Sequence, residues 1–275
     1  MQFGTVGSPK STPAKPGGSV GAVGRIAELG LNALELGWVQ SVRVSEETCA
    51  AIKKIADELN IAISVHAPYF INLNADETEW PKSRKRLWDA AFYGNLAGAT
   101  DIIFHPGSYF SHPPEEVLKV AIPRLQDLSG ELKAHGIMVT LRPETMGKQA
   151  MLGSMSDTLE LGKAISGVLP CVDFAHLYAR SGDGIPNDQK SWESLLEAYQ
   201  KALGPESLSQ MHIHLSGIEY GPKGEKNHLA ARESGLDFSA LFRALKKYGC
   251  NGRILCESPI LEDDALYFKE LWGSL

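Results

Sequence analysis

Short apolar, β-branched runs alternate with amphipathic segments along all 275 residues. The runs lie at residues 2–6, 33–36, 62–65, 101–104, 138–141, 169–172, 211–214 and 253–256. This rhythm predicts parallel strands joined by helices, because parallel neighbours need a long crossover connection. Eight such units predict a single (β/α)8 TIM barrel. Start and stop signals support the intervening helices: Ser45 caps the segment Glu46–Leu59, and Ser156 with Asp157 opens one that runs to Ile165. Gly136 and Gly249 fall where helices should stop. Pro123 should kink or split the helix over 114–135. Residues 80–97 form a helix whose Lys82, Arg84, Lys85 and Arg86 read as a solvated face. Residues 179–189 and 216–235 are long loops, the latter carrying turn signals at Gly221-Pro222 and Gly224, and loops of that length are usually functional or mobile.

Composition adjusts this picture in three places. A chain of 275 residues with 43% hydrophobic content buries one large core, so a single domain over 1–275 is expected. The first ten residues lack the basic and apolar regions of a leader, and no uninterrupted apolar stretch approaches the roughly 18 residues of a membrane span, so a soluble cytoplasmic protein is expected. Cys49, Cys171, Cys250 and Cys256 are scattered without C-x-x-C spacing and read as reduced core thiols. A net charge of −6 argues against a broad, non-specific nucleic-acid binder. It leaves room for a local phosphate site, since cations held by neutral imidazoles add positive charge that the sequence sum omits.

The chemistry lies at the ends of the strands. His66 ends the third, His105 follows the fourth and Glu144 the fifth; Asp173 ends the sixth, with His176 just beyond; His214 ends the seventh and Glu257 the eighth. His228 lies in the loop after the seventh. In a barrel every parallel strand delivers its carboxyl end to the same rim, so these groups should converge. Any one of them alone is an ordinary hydrogen-bonding residue; together they form a metal-ligand set of imidazoles and carboxylates without thiolate, suited to zinc or manganese. Eight candidate ligands are too many for one tetrahedral ion, and a carboxylate bridging two ions, which Glu144 can supply, suits phosphoryl transfer. His112 and His135 are assigned no role, and His212 is expected inside the barrel below the rim.

The local strings are more specific than the ligand count. His66-Ala67-Pro68-Tyr69 followed by Ile71-Asn72-Leu73, then His105-Pro106-Gly107-Ser108, Glu144-Thr145, Asp173-Phe174-Ala175-His176, His214-Leu215 and Glu257-Ser258-Pro259 occur in that order. Together they resemble the endonuclease IV family of apurinic/apyrimidinic endonucleases across almost the whole chain. The resemblance implies a TIM barrel with a trinuclear zinc centre that cleaves double-stranded DNA 5′ to an abasic site, and implies no membrane or obligate protein partner. It implies that His66, His105 and Glu144 hold one zinc, that Glu144, Asp173, His214 and Glu257 hold a second, and that His176 and His228 contribute to a third. Glu144 and Glu257 would be the catalytic carboxylates. Tyr69 and Phe70 match the place where the family inserts side chains at the lesion.

One departure stands out. The family's third-zinc loop usually carries an Asp two residues before the histidine, where this chain has Lys226 in Glu225-Lys226-Asn227-His228. An ammonium repels a cation, so either Glu225 or water replaces the missing ligand, or Lys226 itself meets a substrate phosphate. Lys10, Lys148, Arg180, Lys223 and Arg232 are further candidates for phosphate contacts. The main rival is a single-metal sugar isomerase or epimerase of the xylose-isomerase-like barrels, using Glu144, Asp173, His214 and Glu257. That reading leaves His66 and His105 without a task. A third reading, a non-catalytic barrel that binds damaged DNA or a small phosphate, has no positive feature to support it.

Overall fold

All eight expected strands are present in the computed structural model, which describes residues 1–275. They are β1 (Gln2–Val6), β2 (Ala33–Gly37), β3 (Ala62–His66), β4 (Ala99–Phe104), β5 (Thr140–Pro143), β6 (Cys171–Asp173), β7 (Met211–Leu215) and, last in the chain, β10 (Gly252–Cys256). They form one parallel sheet in the order β5-β4-β3-β2-β1-β10-β7-β6. Parallel bridges Leu141↔Val168 and Glu144↔Cys171 bring β5 to β6 and nearly close the ring. The strands β8 (Gly217–Gly221) and β9 (Gly224–Leu229) stand apart as an antiparallel hairpin on the rim, within the stretch expected to be a long loop.

Helices pack around the barrel: α1 (Gly18–Glu28), α2 (Glu46–Leu59), α3 (Trp80–Leu96), α4 (Pro114–Ala134), α5 (Met155–Ala164), α6 (Phe174–Arg180), α7 (Gln189–Leu203), α8 (Phe238–Lys247) and α9 (Glu262–Ser274). Ser45 caps α2 by accepting from the Thr48 amide at 3.1 Å, as expected. Gly136 and Gly249 adopt positive φ just past α4 and α8, a conformation that costs other residues strain. Several local expectations are corrected. The cap of α5 is Ser154, not Ser156, because Ser154 and Asp157 satisfy each other's backbone amides in a capping box. The helix α4 runs through Pro123 without being split. β5 and β6 begin two residues later than their apolar runs: Met138 is 74% exposed, and Pro170 has no N–H to continue a ladder. No helix is long and apolar enough to cross a membrane. The four cysteines are free and buried.

Strand alternation divides the barrel into an apolar outside and a polar inside. Ile63, Val65, Ile102, Phe104, Leu141, Val172, Ile213, Leu215 and Ile254 belong to one continuous core with the helices. Their neighbours along the strands are polar and buried: Glu35, Ser64, His66, Asp101, Arg142, Glu144, Asp173, His212 and His214. Barrel interiors are more often filled by branched aliphatic residues. Here a column of hydrogen-bonded polar groups runs down the axis. At its base the Arg142 Nε donates to Asp101 at 2.6 Å, and Arg253 lies 3.4 Å from the same carboxylate. Arg142 also donates to the Pro170 and Gln210 carbonyls, so both edge strands β5 and β6 are tied at the bottom.

A candidate metal centre at the barrel mouth

The upper end of the polar column is the cluster expected from the strand ends. Glu144, fully buried, is its hub: His66 Nε2 and His105 Nε2 each lie 3.3 Å from Oε2, and His214 Nδ1 lies 3.2 Å from Oε1. Glu257 joins with Oε1 3.4 Å from His214 Nδ1. The ligand atoms of His66, Glu144, His214 and Glu257 lie within 4.8 Å of one another, as do those of Asp173, His176 and His228. All eight residues are therefore gathered in one mouth.

Local hydrogen bonds decide which nitrogen each ring presents. His66 Nδ1 lies 2.9 Å from the Ala67 carbonyl, His176 Nδ1 2.9 Å from the Thr145 carbonyl and His228 Nδ1 3.1 Å from the Glu257 carbonyl. A carbonyl only accepts, so in each ring Nδ1 carries a proton and Nε2 is the atom turned toward the centre. The Thr145 hydroxyl locks the ends of β5 and β6 together by accepting from the Asp173 amide at 2.8 Å and donating to the Asp173 carbonyl at 3.2 Å. Asp173 in turn caps α6, accepting from the His176 amide at 2.7 Å, which sets the spacing of that ligand pair.

This arrangement concentrates acceptors, and the electrostatics follow. Burial raises Asp173, and Glu257 and Glu144 add to the effect against the opposing pull of His176, leaving its carboxyl at about 6. Its Oδ2 is buried without a hydrogen-bond partner. Burial also works against charge on Glu144, yet the imidazoles of His214, His105 and His66 outweigh it and hold that carboxyl well below the usual range. His176 rises to about 9, since Asp173 and Glu144 overcome the cost of burying its charge. Lone pairs of His66 and carboxylate oxygens 3.3 Å apart are stable only with positive charge shared between them, a proton or a cation. An orphaned carboxylate oxygen and a thiolate-free nitrogen and oxygen donor set fit divalent cations of the zinc and manganese kind.

The hairpin supplies a ligand-type group next to Lys226. Register along β8 and β9 runs Glu219↔Asn227 and then Tyr220↔Glu225, so Lys226 is the extra residue of a bulge. A bulge reverses the alternation of faces. Lys226 therefore turns outward and pairs with Glu219 at 3.0 Å. Glu225 turns inward to the His228 side, with Oε2 3.6 Å from His176 Nε2, while His228 Nε2 lies 3.3 Å from the same nitrogen. Gly147 makes room: a Cβ there would meet Glu225 at 2.7 Å and His176 at 3.1 Å.

Other expectations resolve as follows. Tyr69 stacks on the His105 ring at a centroid distance of 4.9 Å and meets His66 edge-on at 5.4 Å, so its ring forms one wall of the centre. Phe70 is 58% exposed and, with Asn72, Arg86, Ser108 and Phe110, lines a cleft of about 420 Å³ beside the mouth. His212 lies beneath the rim, as expected, with Nε2 2.8 Å from Glu35. His135 packs against Trp88, away from the centre. Arg180 is not free for phosphate: it donates to the Met146, Lys148 and Met151 carbonyls at 2.6–3.0 Å. Arg232 stacks over Tyr267. Sequence reasoning missed Glu35, which lies in the middle of β2 and follows no recognisable string.

Comparison with known proteins places the fold in a family. A family model described as xylose isomerase-like TIM barrel matches residues 23–271. An uncharacterised protein of Methanocaldococcus jannaschii is 38% identical over 274 residues, covering 99% of this chain and 97% of that protein. A probable endonuclease 4 of Aquifex aeolicus is 27% identical over 200 residues, 70% of each chain, in keeping with the resemblance read from the strings. Among solved structures, endonuclease IV from Thermus thermophilus superposes with a TM-score of 0.73 at 22% identity, covering 98% of this chain and 100% of that one. A D-tagatose 3-epimerase-like protein gives 0.73 at 20% identity, covering 100% and 96%. At those identities the structural likeness speaks for the fold alone.

Proposed function

Because the chain belongs to the xylose isomerase-like TIM barrel family, we propose that it is a metal-dependent phosphodiester hydrolase resembling endonuclease IV, which cleaves DNA 5′ to abasic sites. The observation that carries this reading is the pair His66 and His105, both aimed at one oxygen of Glu144. An enzyme that holds a single cation on Glu144, Asp173, His214 and Glu257 has no task for that pair. His66, His105 and Glu144 would hold one zinc, Glu144, Asp173, His214 and Glu257 a second, and His176, His228 and Glu225 a third, with manganese an alternative metal. When bound, such ions polarise a phosphoryl oxygen and make a water nucleophilic at neutral pH.

The chain's own groups do the rest. Glu144 turns one oxygen to His66 and His105 and the other to His214, so it would serve both halves of the centre, and Glu257, beside His214, would orient an attacking water. Burial, with Glu257 and Glu144 adding to it, pushes the Tyr69 hydroxyl up to about 12, so it remains a neutral donor at the mouth. Tyr69 and Phe70 offer exposed aromatic faces to an unstacked nucleotide, a contact worth about 1–3 kcal/mol per base. Lys226 faces away from the centre and pairs with Glu219, so in this reading Glu225, and not the lysine, completes that corner of the site.

The test incubates purified protein with an abasic-site duplex and, separately, with a panel of ketoses, each with and without a chelator. Chelator-sensitive nicking 5′ to the lesion with no sugar turnover is expected. Ketose epimerisation without nicking would transfer the centre to the single-metal isomerase reading.

A further inference from the structure

The histidine ligands differ in what orients them. Backbone carbonyls hold His66, His176 and His228 by Nδ1, leaving Nε2 for the centre. His214 is turned the other way. Its Nδ1 faces Glu144 at 3.2 Å and Glu257 at 3.4 Å, and its Nε2 lies 3.0 Å from Oε1 of Glu35. We infer that Glu35, a fully buried carboxylate of β2, is the positioning residue that keeps the proton of His214 on Nε2 and so frees Nδ1 to ligate a cation. This rests on the metal-centre reading above.

The other oxygen of Glu35 is already engaged. Oε2 accepts from the Ser64 hydroxyl at 2.8 Å and lies 2.8 Å from His212 Nε2, which sets the plane of the carboxylate and directs Oε1 at His214. The Oε1 contact is close without being a well-aligned hydrogen bond, and both atoms lack any other partner. Electrostatics still selects the proton's position. An N–H dipole 3.0 Å from a carboxylate is attracted, whereas a lone pair there is repelled. A group needed only for packing would be apolar, because burying a carboxylate carries a large desolvation cost. Both contacts of Glu35, to His214 and to His212, join β2 to β7 across the barrel, and His212 lies 177 positions along the chain from Glu35. The arrangement matches the carboxylate–imidazole–metal relay through which outer groups tune ligand basicity.

The experiment compares wild type, Glu35→Gln and Glu35→Asp, using zinc as the probe. Zinc affinity is measured by competition with a chromophoric chelator, and ¹⁵N NMR of the zinc-loaded protein reads the protonated nitrogen of His214. Wild type should show His214 with its proton on Nε2. Glu35→Gln, checked by circular dichroism, should lose roughly 10–100-fold in affinity at the tightest site, and Glu35→Asp should recover part of it. A wild-type His214 protonated on Nδ1 would overturn the inference even if neither variant folds. So would a folded Glu35→Gln with wild-type affinity. Wild-type protein that takes up no zinc overturns the metal-centre reading itself, an outcome distinguishable from both.

Discussion

An imidazole ligand is held in one orientation when its other nitrogen is committed, and for His66, His176, His228 and His214 the commitments come from Ala67, Thr145, the backbone of Glu257 and the side chain of Glu35 in turn. Glu257 is doubly placed: its carbonyl orients His228 while its carboxylate faces His214. Glu257→Gln keeps the shape and the carbonyl but removes the charge. Turnover on an abasic-site duplex should fall by roughly 10²–10⁴-fold with the melting temperature little changed, and wild-type turnover would remove this residue from the mechanism. Seven of the eight groups could be found in the sequence because each lies at or just beyond the end of an apolar run, and His228 because of the string around it in the loop that follows. Glu225 could be named only as one of two options, and Glu35 not at all. Their roles depend on a bulge and on a contact across the barrel.

Among the elements, the rim is built from segments that the strands merely launch. The segment over 144–153 wraps from β5 past the centre to the Ser154 cap, and Arg180 at the end of α6 pins it through three carbonyls. A guanidinium in such a place is an internal clamp, since its donors are spent on backbone. Arg180→Ala should destabilise the protein by about 2 kcal/mol and increase hydrogen exchange across residues 146–151, next to Glu144 and His176. Exchange confined to wild-type rates would show that the segment orders itself. The hairpin β8–β9 teaches a related lesson. A run of Gly, Pro and Lys reads as open loop, yet pairing with β8 and the bulge at Lys226 make it a hairpin that delivers Glu225 and His228 together.

Across the whole molecule, the column of buried charge links the mouth to the base. Burial alone would raise Asp101, but Arg142 and Arg253 outweigh it and hold its carboxyl well below the usual range. A carboxyl depressed in the folded state stabilises the protein fully above its unfolded value of about 4, and that contribution is lost as pH falls further. Removing one member of such a buried pair costs about 3–5 kcal/mol. On this account the wild-type urea midpoint keeps the Asp101 contribution from pH 7 to about pH 4 and loses it progressively below that, whereas Asp101→Asn starts lower by that amount and falls less below pH 4. Parallel curves for the two proteins would contradict this account.

Hydrophobic period and strand-end chemistry are local properties, and the order of residues carries them without help: eight strands, the helices between, and eight imidazole and carboxylate groups destined for one rim. Folding added the alternation-breaking bulge that exchanges Lys226 for Glu225, the proton-bearing nitrogen of each ring, and the pairing of Glu35 with His214. These depend on groups far apart in the chain meeting inside a closed barrel, where burial makes every unpaired polar atom costly. No window of neighbouring residues contains that information.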